Sequence, residues 1–214
     1  MDNYVLPKKP EPSEKYVELV EAYKDLHKEE DKFRGISLVP FAYDIYNILL
    51  HNNCKSILDY GCGKAIPYKE NHRDVDPKKK IPNFDKPLHK WWGIDELFLY
   101  DPAYPEHDKL PTKKYDMVIC TDVLEHIPEE DLDWVIRELC SFSQSTMFIN
   151  VSTLPAKKTF KTGKYKGENV HVTVHNHEWW LNKVSEIWND NKNLKIYLTS
   201  TSNKGIMGTC IKGE

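Results

Sequence analysis

Four groups of residues in this chain have types and spacings that can do chemistry. The first is Asp59-Tyr60-Gly61-Cys62-Gly63, an acid at the end of an apolar run followed by a glycine turn. Gly61 can take positive φ without a Cβ penalty, and Gly63 lets a ligand come against bare backbone. The second is Asp101, which closes the apolar run Leu97-Phe98-Leu99-Tyr100. A carboxylate there can accept two hydrogen bonds from a vicinal diol. Its plainer reading is an acid that starts the turn before Pro102. Asp95 is a weaker candidate for the same role. The third group is Thr121-Asp122-Val123-Leu124-Glu125-His126, which again follows an apolar run. The fourth is His171, His175 and His177, which share one face with Thr173 if the segment is extended. Their plain reading is a polar rim of hydrogen-bonding histidines. Their sharper reading is a metal site or a general base, because a neutral imidazole near its own pKa can accept a proton.

Apolar periodicity supplies the elements that must position these groups. Strands are expected at residues 56–59, 97–100, 115–120, 146–152, 194–199 and 205–211. The run 115–120 is almost continuously apolar, as a strand buried on both faces requires. Helices are expected at 14–32, 38–50, 129–142 and 178–189. Their inner stripes are Tyr16, Leu19, Val20 and Tyr23; Phe41, Ile45, Ile48 and Leu49; Leu132, Val135, Ile136 and Leu139; and Trp180, Leu181, Val184 and Ile187. Pro40 suits a first helical turn. Residues 1–13 read as a flexible arm, and 14–214 as one domain in which 14–50 supplies covering helices. Those helices either cover the sheet or form a lid. Residues 67–90 read as an inserted polar loop, with Lys78-Lys79-Lys80 a solvated run.

The acid-ended strand with Gly61-Cys62-Gly63, then Asp101, then Asp122-Val123-Leu124-Glu125-His126, resembles class I S-adenosylmethionine (SAM)-dependent methyltransferases. The resemblance covers roughly residue 38 to the end; Ala65 departs from it, standing where many members have a third Gly. It implies an α/β, Rossmann-like fold with a mostly parallel seven-stranded sheet, helices on both faces and a C-terminal antiparallel hairpin. The segment between Asp101 and Tyr115 is too short for both a helix and a strand, so a reduced third strand is expected. The family's adenine-contacting acid from that region has no counterpart here. The cofactor implied is SAM, with S-adenosylhomocysteine as product. By the resemblance, Asp59, Tyr60, Gly61 and Gly63 line the methionine and adenosine path, and Asp101 holds the ribose. Thr121 and Asp122 lie beside the cofactor. His171 or His175 is the candidate base for an oxygen or nitrogen nucleophile of a small-molecule acceptor.

Two further resemblances compete. Asp101-Pro102-Ala103-Tyr104 resembles the D-P-P-Y signature of DNA amine methyltransferases, but lacks the second Pro and comes too early in the strand order. Asp122-x-x-Glu125-His126 with later histidines resembles two metal-assisted O-methyltransferase groups, one making ubiquinone and one methylating the terminal 2′-hydroxyl of small RNAs. That match holds at Glu125 and His126, with His171 or His175 as a further ligand and Asp122 one methylene shorter than the usual Glu. A divalent metal is therefore an open but not a favoured reading, and no residue is assigned to one. A non-catalytic SAM-binding protein is the other alternative. The 30 basic and 33 acidic residues nearly balance, so no global basic field points to nucleic acid as a partner. No apolar run reaches membrane-span length, and the first residues lack the pattern of a signal peptide. Five scattered cysteines without a C-x-x-C pair favour reduced thiols and a cytoplasmic location, and disfavour a zinc–cysteine site.

Overall fold

In the computed structural model, which describes residues 10–71 and 85–213, the apolar runs become strands of one sheet. The strands are β1 Ser56–Tyr60, β2 Glu96–Tyr100, β3 Tyr115–Thr121, β4 Ser143–Ser152, β5 Lys195–Ser202 and β6 Gly205–Ile211. Their order is β2-β1-β3-β4-β5-β6. Neighbours are parallel up to β5, and β6 pairs antiparallel to β5 at the edge. The architecture is α/β with six strands among the described residues, where the sequence reading expects seven. Between Asp101 and Tyr115 the chain makes turns and no strand.

Among the described residues, five α-helices flank the sheet: α1 Glu14–His27, α2 Ala42–His51, α3 Leu88–Trp92, α4 Leu132–Phe142 and α5 His177–Trp188. Side chains alternate across each strand, so one strand feeds two cores. On one face Leu58, Val118, Cys120, Met147 and Ile149 pack with Val135, Leu139, Trp180 and Val184 of α4 and α5. On the other, Ile57, Met117, Ile119 and Phe148 pack with Ile45 and Leu49 of α2 and with Trp92 of α3. Burial on both faces explains why β1, β3 and β4 read as nearly unbroken apolar runs.

Tertiary contacts move several helix boundaries. α1 ends at His27 and not near Lys32, because the following residues are recruited elsewhere. The carbonyls of Glu29 and Glu30 accept from Lys64 Nζ, and those of Phe33 and Arg34 accept from the backbone N–H groups of Lys64 and Ile66. Ser13 caps the other end of α1 and is itself bonded through N and Oγ to the carboxylate of Asp131. α2 begins only after the 3-10 turn Ile36–Phe41, which contains Pro40, and its stripe of Phe41, Ile45, Ile48 and Leu49 is buried. α4 is likewise preceded by a 3-10 turn, Glu129–Asp131. The polar insertion contains α3, which the sequence reading lacks. It is held by a hydrogen bond from Trp92 Nε1 to the Ala42 carbonyl and stopped by Gly93 at φ 67°. Lys78-Lys79-Lys80 and residues 1–9 of the arm lie outside the described residues. No helix among the described residues is long and apolar enough to cross a membrane. All five cysteines are free thiols, four of them buried.

Candidate functional site

β1 has β2 on one side and β3 on the other, so successive connections leave it in opposite directions. Such a switch point opens a crevice outside the carboxyl ends of the strands. A cavity of about 450 Å³ lies there, within the range of small-molecule sites. Gly61, Gly63, Asp101, Thr121 and Asp122 reach it from the strand ends, and Tyr16, Leu19, Tyr23 and His27 of α1 form a wall. The first helix thus belongs to the site and does more than cover the sheet.

The glycine turn begins where Gly61 and Cys62 donate their N–H groups to the Tyr100 carbonyl at 2.7 and 3.1 Å. Gly61 and Gly63 have φ of 82° and 57°. The sequence reading leaves the Gly63 Cα bare for a ligand, but a Cβ there would overlap the Phe33 carbonyl, and one on Gly61 would overlap the Val123 methyls. Both bare positions therefore seat neighbouring segments of the chain. Gly63→Ala is expected to lower stability by about 2–4 kcal/mol, from the positive φ and the backbone overlap together. The midpoint of urea unfolding checks this. Ala65, at the third-glycine position, keeps the left-handed turn with φ 53° while its methyl is fully buried.

Asp101 is both a turn residue and a cavity residue. Its Oδ1 accepts from Ala103 N and its Oδ2 from Gly63 N, each at 2.9 Å. Burial pushes its carboxyl up to about 6, against the pull of those N–H groups. His27 Nε2 lies 3.8 Å from Oδ1. The His27 ring is stacked between Phe33 and Tyr104, at 4.7 and 5.3 Å. Burial, with the Lys64 charge, lowers its pKa to about 4, so the ring is neutral and its buried Nδ1 has no partner. The sequence reading missed His27. Its signal was there: it continues the stripe Tyr16, Leu19, Tyr23 at helical spacing. Asp95 donates its N–H to Lys55 at the amino end of β2, away from the cavity.

Asp59 and Tyr60 lie behind the turn, and neither lines the cavity. Asp59 is 1 % exposed, and its Oδ2 has no hydrogen-bond partner. Burial lifts its carboxyl to about 7; the Tyr68 hydroxyl, which faces it without hydrogen-bond geometry, opposes this and the Asp101 charge adds to it. Tyr60 points into the opposite core and donates to Glu138 Oε1 at 2.7 Å.

At the end of β3, the Thr121 carbonyl accepts from Ser37 Oγ, and Asp122 takes φ 61° with its N–H on the Asn150 carbonyl. Glu125 turns inward: Oε1 accepts from Ser152 N, and burial with the Asp122 charge raises its carboxyl well above the usual range. His126 and His171 both face the cavity. His126 Nδ1 is 2.9 Å from the Val170 carbonyl, which also accepts from the Tyr23 hydroxyl at 2.8 Å. His171 Nδ1 is 2.7 Å from the Leu154 carbonyl. Carbonyls only accept, so the neutral form of either ring has its proton on Nδ1 and a lone pair on Nε2. Burial lowers the His126 pKa to about 4.

The expected row of histidines on one face does not form. Thr173 anchors the segment through its N–H on the Glu125 carbonyl and its hydroxyl on the Ile127 carbonyl, and Asn176 caps α5. His171 alone of the three enters the cavity. His175 sits outside, 2.8 Å from Glu129 and stacked on Trp179. His177 starts α5 and bonds Ser200 and Thr209. Arg34, Lys157 and Lys158 add a cationic rim that the sequence reading did not single out. Compared with known proteins, the chain matches no family model and no curated protein.

Proposed function

We propose that this chain is a SAM-dependent methyltransferase that methylates an oxygen or nitrogen nucleophile of a small-molecule acceptor. The observation that carries this reading is the convergence of the glycine turn, the Asp101 carboxylate and the His171 imidazole on one cavity at the switch point. In this reading the sheet is the class I sheet with its third strand lost and β5 and β6 as its closing hairpin. When bound, SAM supplies a sulfonium whose methyl is already activated. Asp101 keeps acceptor lone pairs for the two ribose hydroxyls after taking its two backbone N–H groups. Tyr16, Leu19 and Tyr23 exclude water on the α1 side. His171 Nε2 offers the lone pair that takes the proton of the nucleophile, a role His175 cannot share from outside the cavity. Asp59 supports the turn from beneath.

Calorimetric titration with SAM and S-adenosylhomocysteine, followed by assay of S-adenosylhomocysteine release across an acceptor panel, tests the proposal. Saturable one-to-one binding and acceptor-dependent release are expected. Absence of binding to both compounds would overturn the reading.

A further inference from the structure

We propose that Lys157 and Lys158 form an anion site on the cavity rim, which takes the carboxylate or phosphate group of a small acceptor with an apolar body. They belong to a loop with five lysines, Lys157, Lys158, Lys161, Lys164 and Lys166. The fold divides these cations. Lys161 pairs with Glu29 and Lys164 with Glu18, each at 2.8 Å, and both pairs fasten the loop to α1 and the turn after it. Lys166 is exposed and lies off the cavity. Lys157 and Lys158 line the cavity, and among the described residues no carboxylate lies within ion-pair distance of either. The Lys158 ammonium lies 5.4 Å from the centre of the Phe33 ring, which is itself part of the cavity wall.

The two lysines and His171 are held in one frame. Asn169 makes it: its Oδ1 accepts from Ala156 N and from His171 N, each at 2.9 Å, and its Nδ2 donates to the Ala156 carbonyl at 2.8 Å. Val170 N adds a bond to the Lys158 carbonyl at 3.3 Å. The backbone of the rim is thus fixed against the imidazole that would take the proton of the nucleophile. Arg34 belongs to a different frame, since its carbonyl accepts from Ile66 N just beyond the glycine turn. The lysines, and not the arginine, are tied to the acceptor side.

Three acids also line the cavity, and none of them neutralises the lysines. Asp31 lies 2.7 Å from Lys32, Asp101 takes two backbone N–H groups, and Asp122 stands 4.0 Å from His171 Nε2. A ligand anion between two unpaired ammonium groups is attracted by both, and the low-dielectric wall of a cleft strengthens the pull. Each ammonium is a compact charge with three rotatable donors, so it serves carboxylate and phosphate alike. Leu19, Val20, Tyr23, Ala156 and Val170 pack in one apolar cluster on the cavity wall, which suits an apolar body. That this ligand is the methyl acceptor rests on the methyltransferase reading.

The first test needs no cofactor. Phenyl phosphate, phenylacetate and neutral phenylacetamide are titrated calorimetrically into the full chain at low ionic strength. At least one of the two anions is expected to bind at least tenfold tighter than the amide, and to weaken as salt is added. The double variant Lys157→Ala/Lys158→Ala is expected to lose that preference, Lys157→Arg/Lys158→Arg to keep it, and Lys166→Ala, which removes the same charge from the same loop, to leave it unchanged. No preference for either anion in the wild type, an undiminished preference in the double alanine variant, or an equal loss in Lys166→Ala would overturn the anion site. Tighter binding of a short oligoribonucleotide than of either small anion would overturn the small-molecule assignment. The second test is S-adenosylhomocysteine release with hydroxy and amino acids against their amides: the acids are expected to have at least tenfold lower KM in the wild type only, and release with the amides alone would overturn the acceptor assignment. The titration contains no SAM, so the anion site and the methyltransferase reading can fail separately.

Discussion

Asp101→Ala is expected to weaken binding of SAM and S-adenosylhomocysteine about a hundredfold or more. The carboxylate is the charged acceptor at the cavity end of β2, and each of its oxygens is already oriented by one backbone N–H. A hydrogen bond to a charged group contributes about 1.5–3 kcal/mol, so losing a pair of them removes two or more decades of affinity. Calorimetry with each variant measures this directly. The dependence on pH gives an independent check. Burial sets the Asp101 carboxyl at about 6 in the unliganded protein, and a ribose diol is held by the ionised form. Affinity is therefore expected to fall as pH drops from 7 to 5, and Asp101→Asn should be flat over the same window. Wild-type affinity in Asp101→Ala would remove this residue from the ligand site.

Asp59→Asn is expected to stabilise the protein. The unfolded chain releases the Asp59 proton near the ordinary value of 3.8, whereas the folded chain retains it up to about 7. Between those values the unfolded state binds fewer protons, so this group makes stability fall as pH rises through the window. At pH 8 the folded state carries a buried carboxylate with one oxygen unpartnered. Removing the charge is expected to raise stability by about 1–3 kcal/mol at that pH and to have little effect at pH 4. Thermal melts of both proteins from pH 4 to 8 would reveal this as a flatter slope in the variant. Because Asp59 does not line the cavity, affinity for SAM is expected to change less than tenfold. A larger loss would mean that the carboxylate reaches the ligand, as the family resemblance implies.

The parts of this fold that were legible in the sequence are those decided locally. β1, β3 and β4 are apolar on both faces, so they stand out against the charged helices around them. The ends of β1, β2 and β3 carry Gly61, Asp101 and Asp122, and parallel order alone brings such ends to one side. The parts that were not legible are decided by distant partners. Lys64 draws the carbonyls of Glu29 and Glu30 out of a helix that composition alone would continue. Thr173 pins the histidine segment to the turn after β3, so an alternating pattern that looks like a strand sends His171 and His175 to different surroundings. Gly63 was recognised as a required glycine for a reason that differs from the one found, because nothing in the sequence places the Phe33 carbonyl against it.

The fastening of α1 bears on the order in which the molecule assembles. Ser13 is bonded to Asp131 across 118 positions, Glu18 to Lys164 across 146, and Tyr23 to Val170 across 147. Contacts between residues so far apart in the chain close only after the intervening segments have collapsed, because the entropy of loop closure precedes any gain from the contact. Helix α1 is thus among the last elements to dock, although it precedes the sheet in the chain. The wall it contributes is the final piece of the cavity, and the emerging chain has no closed cavity until the loop that carries Val170 has been made.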